Sequence, residues 1–182
     1  STPLVYRRGE ETVIKEALKV CGVKMKSQVM FPALLDGTSI VILDKKTLLV
    51  GIDGQSNKEG VRKLKQTFPD FDIIAFTTNV ELNKYVNVVE NTVVMSEQLA
   101  YSNLYYKLKQ MEFDIMIADE KQTKEKAINF LQIGSNKIVN TVSTLNKKLR
   151  KMGIDVIEVP LTEFFKANCG CSDLVIPVDY SL

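Results

Sequence analysis

Strand and helix signals alternate along this chain, and the order strand, strand, helix, strand comes round repeatedly. Residues 39–43 and 47–52 are β-rich runs joined by the polar Asp44-Lys45-Lys46, which predicts a hairpin. Asn57 is placed to cap a helix to residue 68, with Val61, Leu64, Lys65 and Phe68 at helical spacing and Pro69 just beyond its end. Residues 72–76 read as the next strand. After a polar loop over 79–87 the order returns as a strand at 92–95, a helix at 97–110 with Leu104, Leu108 and Met111 on one side, and a strand at 113–117. It returns again as a hairpin of 127–133 with 137–140 about Gly134-Ser135-Asn136, a helix at 142–152 stopped by Gly153, and a strand at 154–159. A helix at 12–20, ended by Gly22, precedes the series; a short helix at 161–166 and a strand at 173–178 follow it. Hairpins pair antiparallel and helical crossovers pair parallel, so the expectation is an α/β architecture with mixed sheets. No linker suggests a second domain, and residues 1–182 are expected to form a single domain.

Composition narrows the function classes. The 182 residues are 45% hydrophobic and 25% charged, enough for a buried core. The formal charge of +2 is spread along the chain, which leaves no nucleic-acid footprint, and none is expected as a partner. No apolar run approaches the ~20 residues needed to cross a bilayer, so no transmembrane segment is expected. The three cysteines, Cys21, Cys169 and Cys171, show neither disulfide-framework nor zinc spacing and point to a reducing, intracellular compartment. A mildly basic chain with reduced thiols and no signal pattern fits the cytoplasm, or the mitochondrion after removal of a presequence.

Three stretches carry a resemblance. The first is Tyr6-Arg7-Arg8-Gly9-Glu10-Glu11. The second is Leu35-Asp36-Gly37-Thr38-Ser39-Ile40-Val41, followed by Val50-Gly51-Ile52 and Gln55-Ser56-Asn57-Lys58-Glu59-Gly60. The third runs from Val159-Pro160-Leu161-Thr162-Glu163-Phe164 to Cys171-Ser172-Asp173-Leu174-Val175-Ile176. In order and spacing they resemble the dimethylarginine dimethylaminohydrolase branch of the amidinotransferase/pentein superfamily. The resemblance implies a pentein-type α/β propeller of repeated ββαβ modules. It also implies that this chain lacks the family's N-terminal blade or blades. An incomplete ring leaves an apolar flank, so other protein subunits, or a second copy, are expected to cover it.

That family hydrolyses guanidines with a Cys thiolate, a His that carries protons, and acidic groups that hold the substrate cation. This chain has no histidine at all. The family's His falls at Leu82 or Asn83 according to register, and neither shuttles a proton near neutrality. Asp36 matches the acid that orients the His, but the second acidic position is Ser39. The substrate-clamping Arg corresponds to Gln55, which forms no charged bidentate pair; Arg7 and Arg8 remain as vestigial substrate contacts. Aligned through Ser172, Gly170 rather than Cys171 takes the nucleophile's place, and Cys171 is the thiol that would act in a living enzyme. Cys169 and Cys171 without further Cys or His make a poor metal site, so no metal is expected, and no cofactor is implied.

Gly51-Ile-Asp-Gly54 lacks the P-loop Lys and reads as a turn. Tyr101, Tyr105 and Tyr106 read as helix packing, and the alternating charges from Asp119 to Lys126 as a solvated face. The resulting expectation is a catalytically inactive pentein-fold protein acting as a structural or accessory subunit of a larger assembly, with a mitochondrial complex as one setting. The alternatives are an active guanidine hydrolase giving citrulline through Cys171 with Asp36, and a non-catalytic guanidine or amino-acid binding module.

Overall fold

The structure, a computed structural model, describes residues 9–176. Within them the chain forms two compact units, 9–81 and 82–176. Three separate three-stranded sheets carry the architecture, each with one antiparallel and one parallel pairing. The expected mixed α/β pattern is thus present three times.

The first unit begins with α1 (Glu10–Val20), and its sheet follows as β1 (Ile40–Ile42), β2 (Thr47–Ile52) and β3 (Asp72–Thr77). Helix α2 (Lys58–Thr67) makes the crossover between β2 and β3. Asn57 caps it as expected, its Oδ1 accepting the Gly60 N–H at 2.8 Å. Val61 and Leu64 of α2 pack on Val50 and Ile73, with Ile40, Leu48 and Ile52 around them, so every second residue of β2 faces the helix. The alternate residues Val41 and Leu49 are also buried, which explains the near-continuous apolar run of β2.

In the second unit the first sheet is β4 (Val86–Val89), β5 (Thr92–Ser96) and β6 (Asp114–Ala118), with α3 (Asn103–Gln110) between β5 and β6. Helix α4 (Glu120–Lys124) leads to β7 (Leu131–Gly134), β8 (Lys137–Thr141), α5 (Leu145–Lys151), β9 (Asp155–Val159) and α6 (Thr162–Lys166). One apolar cluster joins Val89, Val94 and Ala118 to Ala127, Ile128, Phe130, Ile138, Leu145, Leu149 and Val156.

The structure corrects four sequence expectations. The polar loop at 79–87 instead holds a 3-10 turn, Leu82–Lys84, and the start of β4, because Asn87 satisfies its amide on the Ile128 and Phe130 carbonyls at 2.9 and 2.8 Å. The helix expected at 97–110 begins only at Asn103: Tyr101 has φ 60°, and Ser102 then caps the helix by accepting the Tyr105 N–H. Residues 127–130 are buried but not extended as strand, and β7 starts at Leu131. Ser172–Leu174 is a 3-10 turn rather than the beginning of a strand, and 177–178 of that expectation lie outside the described residues. No helix among the described residues is long and apolar enough to cross a membrane.

Candidate functional site

In the first unit the segment entering β1 and the turn leaving β2 form one polar cluster. The Asp36 N–H donates to Ser56 Oγ at 2.8 Å, and Asp36 Oδ1 accepts from the Thr38 N–H at 2.9 Å and its hydroxyl at 2.7 Å. Ser39 Oγ donates to Asp53 Oδ2 at 2.7 Å, while Asp53 Oδ1 accepts the Gln55 and Ser56 N–H groups, both at 3.0 Å. Asp36, Ser39 and Gln55 are therefore brought together, with Asp53 as the residue that ties the turn and Ser39 and Ser56 wholly buried. Gln55 enters this network through its backbone. Arg7 and Arg8 lie outside the described residues.

A second polar cluster lies in the other unit, around the turn after α6. Leu82, one of the two residues at the family's His position, is wholly buried in the core, whereas Asn83 turns toward this cluster. Asn83 Nδ2 donates to Asp173 Oδ1 at 3.1 Å, and the Gly170 N–H donates to Asp173 Oδ2 at 3.0 Å. Asn129 Nδ2 reaches the same Oδ1 and the Asn83 carbonyl, each at 3.4 Å. Asn129 Oδ1 in turn accepts the Ser172 N–H at 2.9 Å and its hydroxyl at 2.8 Å. Asn129, wholly buried, is the hub, and the remaining acceptor, Asn83 Oδ1, is buried with no partner among the described residues.

This packing bears directly on the nucleophile's position. A Cβ placed on Gly170 would lie 2.5 Å from Asn129 Oδ1 and 2.7 Å from its Cβ and Cγ, so a side chain there needs Asn129 to leave. Cys171, next along the chain, is buried at 6% exposure. Burial first, and the Asp173 charge second, push its thiol up to about 11. At neutral pH the sulfur is a thiol, not the thiolate that attacks carbon. Cys169 donates weakly to the Ala167 carbonyl at 3.4 Å. The groups gathered here are two amides, a hydroxyl, a carboxylate and a protonated thiol, which can hydrogen-bond a ligand.

Sequence reasoning passed over Asn129, Asp53 and the role of Asp173. A signal existed for the first: Asn129 interrupts the apolar run Ala127-Ile128-Asn129-Phe130-Leu131, and a buried amide needs partners. Nothing local marks Asp173, whose partner Asn83 is 90 residues away.

No family model matches the sequence. Sheets of two antiparallel strands and a parallel third, repeated with a crossover helix, define the pentein-type fold, and solved structures share it. A mutant dimethylarginine dimethylaminohydrolase of Pseudomonas aeruginosa complexed with citrulline superimposes with a TM-score of 0.79 at 18% identity, over 92% of this chain and 65% of that one. The N-terminal domain of ArgZ, an arginine dihydrolase from cyanobacteria, bound to substrate, gives 0.85 at 19% identity, over 97% and 68%. The chain therefore has a dimethylarginine dimethylaminohydrolase-like, amidinotransferase/pentein fold. In sequence it is 25% identical over 168 residues to the uncharacterized protein YkgA of Bacillus subtilis (strain 168), covering 89% of this chain and 57% of YkgA. An uncharacterized protein of Aeropyrum pernix is 21% identical over 175 residues, covering 94% and 63%. The chain thus spans less than two thirds of the length of these relatives.

Proposed function

We propose that this chain is a catalytically silent pentein-fold protein that serves as a structural or accessory subunit of a larger protein assembly, in a reducing compartment, cytoplasmic or mitochondrial. One observation carries the reading: the polar cluster about Gly170 and Cys171 contains amides where a proton carrier is needed, and its thiol titrates near 11. Fold and chemistry are separable, since a scaffold persists through its core while activity needs each reacting group in place. The apolar cores of both units are intact.

The competing reading is a guanidine hydrolase, favoured by the named activities of the fold neighbours and by a cysteine in the cluster. In it Cys171 attacks, Asp36 holds the cation and the proton carrier comes from elsewhere. Incubation of the purified protein with arginine, methylated arginine and agmatine, followed by an assay for ureido product, separates the two. The expected result is no turnover. Citrulline formation abolished by Cys171→Ala would overturn the proposal.

A further inference from the structure

Along the sequence the basic residues are evenly spread, but the fold sorts them. The three crossover helices α2, α3 and α5 hold ten of the chain's 24 basic residues and one of its 22 acidic residues, Glu59. In α2 the bases are Lys58, Arg62, Lys63 and Lys65, in α3 Lys107 and Lys109, and in α5 Lys147, Lys148, Arg150 and Lys151. All ten are exposed, because each helix turns its leucines inward: Leu64 in α2, Leu104 and Leu108 in α3, Leu145 and Leu149 in α5. Their exposure follows from how each helix packs on its own repeat.

A solvated helix face takes Lys and Glu alike, since both form helix well and opposite signs one turn apart attract. Helix α4 follows that rule, pairing Lys124 with Glu120 at 2.6 Å and Lys121 with Glu125 at 3.9 Å, and α6 pairs Lys166 with Glu163 at 2.7 Å. The crossover helices do not. Among the described residues Arg150 alone of the ten has a carboxylate partner, Glu158 at 2.8 Å, whose charge Lys147 also reaches. Nor does the helix dipole account for the bias, because the first turns of α3 and α5 hold no acidic residue where the dipole would favour one. A face that omits one sign of charge where both fold equally well suits a ligand of the opposite sign.

What accompanies the lysines narrows the kind of anion. No aliphatic side chain is exposed within the three helices, so they offer nothing to insert into a bilayer. Tyrosines do accompany them. Tyr101, 76% exposed, Tyr105 and Tyr106, 54% exposed, meet in a row with ring centroids 5.4 Å apart at each step. Tyr105 and Tyr106 stand one turn before Lys109 on α3. Glu97 and Glu112 flank that helix, and neither pairs with its lysines among the described residues. Exposed rings beside unpaired lysines match a single strand in both its parts: bases stack on the rings, and phosphates meet the ammonium groups.

We propose that the outward faces of α3 and α5 bind single-stranded nucleic acid, with Tyr101, Tyr105 and Tyr106 as a stacking platform and Lys107, Lys109, Lys148 and Lys151 as phosphate contacts. The α2 bases give the other unit a face of the same kind. This function goes beyond the subunit reading and does not depend on it, because the polar clusters about Asp36 and Asp173 take no part. Stacking and phosphate contact are blind to base identity, so the binding is tolerant of sequence.

Fluorescence anisotropy of a labelled oligomer of about 20 deoxythymidine nucleotides, titrated with the full chain, is the test. Micromolar binding is expected at about 50 mM salt, weakening roughly 50-fold by about 200 mM, as about four phosphate contacts on a single strand require. Lys148→Gln with Lys151→Gln is expected to weaken binding about fivefold or more and to flatten the salt dependence. Tyr106→Ala is expected to weaken it about tenfold with the salt dependence unchanged, since stacking releases no counterions. Lys121→Gln with Lys124→Gln removes the same charge from the same unit at lysines already paired, and is expected to shift affinity less than about twofold. These side chains are all exposed, and an unchanged Tm checks that each variant folds; Tyr101→Ala replaces Tyr106→Ala if that one does not. No binding at about 50 mM salt would overturn the proposal, as would an α4 variant that loses as much as the α5 variant, or full affinity in Tyr106→Ala. Equal affinity for polyglutamate or for phosphatidylserine vesicles would also overturn it, by showing that charge alone is read.

Discussion

The sulfur of Cys171 lies below the surface beside the carboxylate of Asp173, and both the burial and that charge oppose its ionisation. Alkylation with iodoacetamide at pH 8 is therefore expected to label the exposed Cys21 and to spare Cys171 until the chain unfolds. Mass spectrometry of the labelled peptides reads the difference, and labelling of Cys171 as fast as Cys21 would contradict the buried, protonated thiol. The shift also has a sign in stability. The folded state raises the thiol from 9.0 to about 11, so this group's stabilising contribution is fully present below pH 9 and is lost as pH rises through 11. Denaturant midpoints of the wild type are expected to fall over that window more steeply than those of Cys171→Ala. At the neighbouring position, Gly170→Cys places a sulfur where the fold resemblance would put the nucleophile, but its Cβ meets Asn129. The variant is expected to lose roughly 2 kcal/mol or more of stability through overpacking and to gain no turnover. Adding Asn129→Gly clears the space but leaves the Ser172 N–H only its longer bond, 3.3 Å, to the backbone carbonyl of residue 129 and removes a donor from Asp173, so the recovery is expected to be partial.

At the scale of elements, one side chain in the first unit fastens a helix to the segment that precedes its sheet. Asn57 accepts N–H groups from Gly60 and Leu34 and donates to the Pro32 carbonyl, so it caps α2 and pins residues 32–34 together. Asn57→Ala is expected to cost about 2 kcal/mol in chemical denaturation, more than a cap alone, and Asn57→Asp less, because a carboxylate keeps both acceptor roles. Gly60 lies under the same strap: an added Cβ would sit 1.8 Å from the Leu34 carbonyl oxygen, which is backbone and cannot turn aside. Gly60→Ala is accordingly expected to cost about 4 kcal/mol or to prevent folding. The cap, the crossover and the strands at 47–52 and 72–77 were legible in the sequence because each has a local cause: a capping amide, a helical stripe, a β-branched run. The strand β4 was hidden because Asn87 makes it look polar, and its amide is satisfied only by carbonyls 41 and 43 residues away. The delayed start of α3 was hidden because a non-glycine residue, Tyr101, takes a positive φ that no residue pattern announces. For the candidate site the same division holds. Asp36 and Gln55 fell in a cluster built from turns close in sequence, whereas the tie of Asn129 to Asp173 spans 44 residues and is fixed only by tertiary packing.

At the scale of the whole molecule, the proposed loss of chemistry need not mean loss of binding, because hydrogen-bonding groups outlast a proton carrier. Asp173 and its amides, and Asp36 with Asp53 in the other unit, are groups that a guanidinium or amino-acid ligand could address. Thermal unfolding distinguishes a binding module from a structural subunit by mass action. A ligand that binds only the folded state, present at 100 times its Kd, stabilises by about 2.7 kcal/mol. For a chain of 182 residues each kcal/mol raises Tm by roughly 2–4 °C, so such a ligand adds about 5–10 °C. In both clusters the carboxylates are engaged by the protein's own N–H, amide or hydroxyl donors: Asp173 by Gly170 and Asn83, Asp53 by Gln55, Ser56 and Ser39. A ligand must displace these donors or share the oxygens with them, which removes most of the gain from a new ion pair. Arginine, methylated arginine and citrulline at about 10 mM are therefore expected to move Tm by less than about 1 °C relative to lysine at equal ionic strength, a limit that excludes Kd values near 0.1 mM. A rise of several degrees with any of them, absent with lysine, would show a pocket that still reads its ligand and would replace the silent subunit with a sensor.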